Sequence, residues 1–141
     1  MQFTAWDLGG HEQVRDLWEE YYAGADAIVF MVDSADKSRL PEAKRELGDL
    51  LKHEAVDGEL AFRSPMHDIT AGADQAVLCA GVPLLILGNK SDLEGSMGKA
   101  ELVKSLGCDL DDGERPVELY LSSLIAGTGY TQGFQWLSNH L

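Results

Sequence analysis

Val82-Pro83-Leu84-Leu85-Ile86-Leu87-Gly88-Asn89-Lys90-Ser91-Asp92 decides how the rest of the chain is read. A leucine-rich apolar run that stops abruptly at a glycine and a polar tetrad has the form of a buried strand. Such a strand delivers side chains to the carboxyl edge of a parallel sheet, where open α/β folds bind ligands. Working outward, Phe3-Thr4-Ala5-Trp6 is a short β-prone run ending at Asp7-Leu8-Gly9-Gly10-His11, where paired glycines force a loop. Val14, Leu17, Trp18, Tyr21 and Tyr22 then recur at helical spacing, with Arg15, Asp16, Glu19 and Glu20 on the opposite face and Gly24 as a stop. Ala27 to Val32 reads as a fully buried strand ending at Asp33-Ser34-Ala35-Asp36, and Pro41 suits the first turn of a helix carrying Ala43, Leu47, Leu50 and Leu51.

Between Asp57 and Gly81 periodicity fades, and Gly58, Pro65, Gly72 and Gly81 punctuate a polar stretch with one brief helix-like patch, Ala76 to Ala80. This is a long surface loop, either disordered or a docking site with Arg63, His67 and Asp68 as its exposed groups. Beyond the tetrad, Ala100, Leu102, Val103 and Leu106 mark a helix near Lys99 to Leu106. Val117 to Leu121 is a strand ending at Ser122-Ser123-Leu124, and Tyr130, Phe134, Leu137 and Leu141 mark a closing helix. Alternation of strand and helix favours a parallel sheet with helices on both faces. Asp7 to His11, Asp33 to Asp36, Asn89 to Asp92 and Ser122 to Leu124 then all fall in loops on one edge.

Composition sets bounds on function. At 141 residues, 45% hydrophobic and 25% charged, the chain is one domain by length, with enough residues to bury a core. Its longest apolar run is far too short to span a bilayer, and Met1 to Trp6 has neither a secretory nor a transit pattern, so a cytosolic or cytosol-facing protein is expected. Cys79 and Cys108 lack CxxC spacing, which suits reduced packing thiols. A net charge of −13 without Lys/Arg clusters argues against nucleic-acid binding and against adhesion to anionic lipid. Local backbone N–H groups, a lysine and a metal ion could still hold a nucleotide.

The clusters suggest which nucleotide. Asp92 can accept two hydrogen bonds from adjacent N–H donors, as guanine provides and adenine does not, while the Lys90 stem lies along the base and Asn89 ties the tetrad to a neighbouring loop. A partly unpaired, desolvated carboxylate costs about 1 to 3 kcal/mol, enough to enforce guanine. A solvated polar turn after a strand is the competing reading of the tetrad taken alone. In the first loop, Asp7 could hold Mg²⁺ through a water, Gly10 could offer an N–H to a terminal phosphate, and His11 could orient an attacking water. An ordinary Asp-capped glycine turn would look the same.

Taken together, Trp6 to Gln13, Leu17-Trp18, Val32-Asp33, Leu87 to Asp92, Gly129-Tyr130 and Phe134 to Leu137 resemble the Sar branch of the Sar/Arf small GTPases. His11 carries the Sar pattern, where Arf relatives have glutamine. The resemblance implies a Ras-like P-loop NTPase-type three-layer α/β sandwich, N-terminally incomplete, as a single domain over residues 1–141. It implies a GTP/GDP-binding, Mg²⁺-dependent GTPase switch that recruits the COPII coat on the cytoplasmic face of the endoplasmic reticulum for transport to the Golgi, with an activating protein and an exchange factor as partners. Carried over by position, Asp7 is a magnesium-site residue, Gly10 a γ-phosphate contact and His11 the catalytic water-orienting residue. Asn89, Lys90 and Asp92 select guanine, and Ser123 and Leu124 close over the base. The helix after His11 is the mobile second switch.

These residues hold no GxxxxGK[ST] loop, first-switch threonine or amphipathic membrane helix, all of which precede the Asp7 cluster in the family. Very weak nucleotide affinity is therefore expected of this chain, with membrane association only through the missing helix. A gap is expected where the family places a strand between Phe3–Trp6 and Ala27–Val32, leaving apolar surface and unpaired backbone beside a displaced or loosely held first strand. Two readings stand: an incomplete copy of a Sar-type GTPase, or a truncated noncatalytic binding module that does not cycle on GTP.

Overall fold

The computed structural model describes residues 4–15, 18, 21, 25–52, 81–108, 110 and 115–141. Its centre is a parallel sheet of three strands in the order β1 (Ile28–Asp33), β2 (Leu84–Asn89), β3 (Val117–Leu121). Around it, in chain order, stand α1 (Glu12–Arg15), a 3-10 turn at Lys37–Arg39, α2 (Leu40–Lys52), α3 (Lys99–Leu106) and α4 (Tyr130–Ser138). Ile28 lies opposite Leu84 and Asp33 opposite Asn89, while Leu84 meets Val117 and Gly88 meets Leu121. This register brings the ends of all three strands to one edge.

Alternation along β2 explains its uniform hydrophobicity. Leu84 and Ile86 point into a core shared with Leu47 and Leu50 of α2, Leu102 and Leu106 of α3, and Val117 and Leu119 of β3. Leu85 and Leu87 point the other way, against Leu137 of α4. A strand with neighbours on both edges and helices on both faces has no position that tolerates a polar side chain. Gly133 lets α4 come close to this face, since a Cβ there would lie 3.1 to 3.2 Å from the side chains of Leu87 and Leu85. At the other face, α3 ends at Gly107, whose left-handed φ of 66° turns its N–H onto the Val103 carbonyl.

Two expectations about the first part of the chain are corrected. Thr4 to Trp6 form no strand, and Trp6 is 73% exposed; Phe3 lies outside the described residues. Among the described residues β1 pairs only with β2, so no neighbouring ladder draws Thr4 to Trp6 into the sheet. Nor is β1 fully buried. Val29 and Met31 share the face of Leu85 and Leu87, but α4 covers β2 and β3, and these two side chains are 37% and 50% exposed. Exposed Val29 and Met31 on a strand that pairs with β2 alone among the described residues agree with the apolar surface expected there. The helix expected from Val14 is present as α1, with Trp18 and Tyr21 also helical, whereas Leu17, Tyr22 and Gly24 lie outside the described residues. So does the expected 57–81 loop, apart from Gly81, which sits in a turn.

Candidate functional site

Three strand ends lock together at the carboxyl edge. Ser34, buried just after β1, donates both its N–H (2.9 Å) and its hydroxyl (2.7 Å) to the Asn89 carbonyl. Its own carbonyl accepts from Met97 N–H at 2.9 Å, which draws in the loop after the tetrad. On the other side, Ser122 N–H donates to Gly88 and Ser91 N–H to Ser122, at 2.9 and 3.0 Å. The Asn89 side chain accepts from Leu124 N–H at 3.2 Å, so the expected tie between the tetrad and a neighbouring loop is present. That loop is closed by paired bonds between Ser123 and Thr128, both 3.0 Å, and by Ala126 N–H donating to the buried Ser123 hydroxyl at 3.0 Å.

Asn89, Lys90, Ser123 and Leu124 are thus assembled on one edge, with Asp92 exposed in the turn that follows Lys90. Gly88 permits the close packing beneath them, because a Cβ there would come within 2.6 Å of Leu102 Cδ2 and 3.0 Å of Leu121 Cδ2. Lys90 adopts a left-handed backbone, φ 63°, which a side-chained residue rarely does. Its ammonium pairs with Asp33 Oδ2 at 2.6 Å. The hydrogen bond from Lys90 is the main reason the Asp33 carboxyl titrates below its ordinary range, and the same bond pushes the Lys90 ammonium up.

Asp7, Gly10 and His11 sit on a separate segment, all three exposed. Its shape is held from below. Arg15 donates to the Gly10 carbonyl through Nε at 3.1 Å and Nη2 at 2.9 Å, and also reaches Glu42 and, at 2.8 Å, Glu46 on α2. Trp18 Nε1 donates to the Gly9 carbonyl at 2.9 Å. Bonding to Arg15, with Arg39 adding to it, holds the Glu42 carboxyl at about 2. These bonds run to α1 and α2; among the described residues none joins the segment to the tetrad. The Gly10 carbonyl is taken by Arg15, and among the described residues no acceptor meets the Gly10 N–H. Asp7, an exposed carboxylate outside any ligand cluster among the described residues, fits an ion that keeps most of its own waters and takes phosphate oxygens as further ligands.

Sequence reasoning placed Asp33 at the ligand edge but missed its pairing with Lys90, and read Arg15 only as part of a solvated helix face. The apolar-to-polar break at Val32-Asp33 matches that at Gly88-Asn89, a signal that the two ends lie side by side.

The sequence profile of the Arf family, described as the ADP-ribosylation factor family, matches residues 1–62 and 63–141. The chain belongs to the ADP-ribosylation factor family. It is 37% identical over 151 residues to the small COPII coat GTPase SAR1 of Giardia intestinalis, covering 100% of this chain and 67% of that protein. With ADP-ribosylation factor K of Dictyostelium discoideum it shares 33% identity over 141 residues, 100% of this chain and 62% of the relative. The chain therefore spans about two thirds or less of the length of these family members. The solved structure of the Arl6 BBS3 small GTPase from Trypanosoma brucei with bound nucleotide analogue GppNp superposes with a TM-score of 0.70 at 36% identity, over 93% of this chain and 67% of that one. The fold is that of the Ras-like small GTPases, as the family resemblance implied, while the alternation of strands and helices predicted its parallel sheet.

Proposed function

We propose that this ADP-ribosylation factor family chain, as one domain over residues 1–141, carries the guanine-reading face of a GTP-hydrolysing switch, and that the switch is of the Sar type. The observation that carries the reading is the brace around the tetrad. Asn89 is held by Ser34 through its carbonyl and holds Leu124 through its side chain, which leaves Asp92 open beside Lys90. In this arrangement Asp92 accepts from the guanine ring N–H and exocyclic amine, the Lys90 stem covers a base face, and the exposed Leu124 bounds the base from the β3 side, set in place by the buried Ser123 beneath it. Asp7 would hold Mg²⁺ through water, Gly10 N–H would meet a terminal phosphate, and His11 would orient the attacking water. The ion would supply charge neutralisation on the phosphates.

His11 in place of glutamine favours Sar over Arf, and the identity to the Giardia SAR1 protein supports it. On this reading the switch serves COPII assembly on the endoplasmic reticulum and transport to the Golgi, with coat proteins, an activating protein and an exchange factor as partners. The test is nucleotide choice in the wild-type chain and in Asp92→Asn. Preference for GDP over ADP that falls by tenfold or more in Asp92→Asn, the size expected when a buried pairing of about 1.4 kcal/mol or more is lost, supports base reading. Equal binding of GDP and ADP by the wild type would leave the noncatalytic binding module as the better account. Recruitment of COPII coat to endoplasmic-reticulum-like vesicles in a GTP-dependent manner checks the Sar assignment separately.

A further inference from the structure

Lys90 pairs an unusual backbone with a fixed side-chain partner. At φ 63° a glycine would be at ease, so what a lysine contributes at this position is its side chain. The ammonium ends 2.6 Å from Asp33 Oδ2. Asp33 cannot swing freely, because its other oxygen accepts from Ala35 N–H at 2.9 Å and Asp36 N–H at 3.2 Å. Its backbone is equally fixed, lying opposite Asn89 in the β1–β2 ladder, with Ser34 bonded twice to the Asn89 carbonyl. The lysine is therefore anchored at both ends, by the tetrad backbone and by a carboxylate built into the neighbouring strand. Its side chain is still 51% exposed, so the stem between the anchors is open to a ligand.

We propose that Asp33 is a positioning residue for base recognition: by holding the Lys90 ammonium it fixes the lysine stem as one wall of the base site, while Asp92 reads the base edge. The inference rests on the guanine reading above and adds a residue to it. A free lysine stem has four rotatable bonds and samples many directions, whereas one tethered to a rigid carboxylate is already in place when the base arrives. Asp33 acts on the face of the base and not on its edge. It is indifferent to the exocyclic amine, which belongs to Asp92.

Asp33→Asn tests this in the full chain. Asparagine keeps an oxygen for the Ala35 and Asp36 N–H groups but loses the charge that holds the ammonium, and a thermal melt verifies folding. GDP, inosine diphosphate, which lacks the exocyclic amine, and ADP are titrated against wild type and variant at one salt and Mg²⁺ concentration, and the Lys90 side-chain ¹H–¹⁵N signal is followed. The expected result is a loss of about twofold to fivefold in affinity, the range for losing a half-exposed ion pair, equal for GDP and inosine diphosphate, together with loss of the slowly exchanging Lys90 ammonium signal. Unchanged affinity in Asp33→Asn, with the wild type still preferring GDP to ADP, would overturn the role of Asp33 and leave the guanine reading standing. Unequal losses for GDP and inosine diphosphate would overturn it too, by placing Asp33 on the base edge. A wild type without preference for GDP over ADP would remove the guanine reading and this inference with it.

Discussion

Replacing Gly88 by alanine places one methyl group where the fold and the base-reading edge meet. The new Cβ would lie 2.6 Å from Leu102 Cδ2, closer than such atoms approach, and 3.0 Å from Leu121 Cδ2, a tight contact that needs the neighbour to give way. Leu102 is fully buried on α3 and cannot turn to solvent, so the strain spreads into the α3 packing or into the β2–β3 ladder, where the Gly88 carbonyl accepts from Ser122 N–H. Overpacking of this kind costs about 1 to 3 kcal/mol. For a chain of this size that lowers the melting temperature by roughly 3 to 10 °C. The diagnostic assay is a double-mutant cycle with Leu102→Ala, followed by thermal and urea unfolding. Leu102→Ala alone should cost about 2 to 5 kcal/mol, but in the Gly88→Ala background it also removes the clashing atom, so the double mutant should be more stable than the sum of single effects by about 1 kcal/mol or more. Additivity to within about 0.5 kcal/mol would refute the claim that Gly88 is required by its contact with Leu102.

Two further outcomes follow from particular contacts. The uncovered and covered parts of one sheet face should respond differently: Met31→Lys, at a position 50% exposed on β1, should change stability by no more than about 0.5 kcal/mol, whereas Leu85→Ala on β2, on the same face but under α4, should cost about 2 to 5 kcal/mol, both read by urea denaturation. The Glu42 carboxyl, held at about 2 by Arg15 against an ordinary value of 4.5, has a depressed folded-state pKa. Its contribution is thus present above about pH 4.5 and is lost as pH falls through about 2. A ¹³C titration of Glu42 should show the low midpoint in wild type and a return toward 4.5 in Arg15→Ala, with faster amide exchange around Gly10; an ordinary midpoint in the wild type would contradict the anchor.

What could be read from the sequence was whatever depends on local pattern. Leu84 to Leu87 are apolar at every position because both faces and both edges of β2 are covered, and that run, the Asn89 tetrad after it and the Pro41 helix start all lie where the pattern puts them. Ala27 to Val32 has the same apolar pattern with a different outcome, since apolarity records what a residue can bury and not what neighbours it has. Val29 and Met31 face an uncovered side of the sheet. Thr4 to Trp6 have β-prone residues but, among the described residues, no partner strand, and propensity alone forms no ladder. The Lys90–Asp33 pair depends on β1 and β2 ending in register, with Asp33 opposite Asn89, and register is set by the packing of two distant segments. Arg15 was invisible for the same reason: its partners Glu42 and Glu46 lie on another helix.

The central claim is that Asn89 to Asp92, braced by the ends of β1 and β3, reads guanine. Its most direct measurement is a ¹H–¹⁵N titration of the full chain with GDP and with ADP at matched millimolar concentrations, where even weak binding is visible residue by residue. The account predicts saturable shifts at Lys90, Ser91, Asp92, Ser123 and Leu124 with GDP, much smaller ones with ADP, and loss of the difference in Asp92→Asn. Identical shifts with both nucleotides, or shifts elsewhere that bypass these residues, would contradict it.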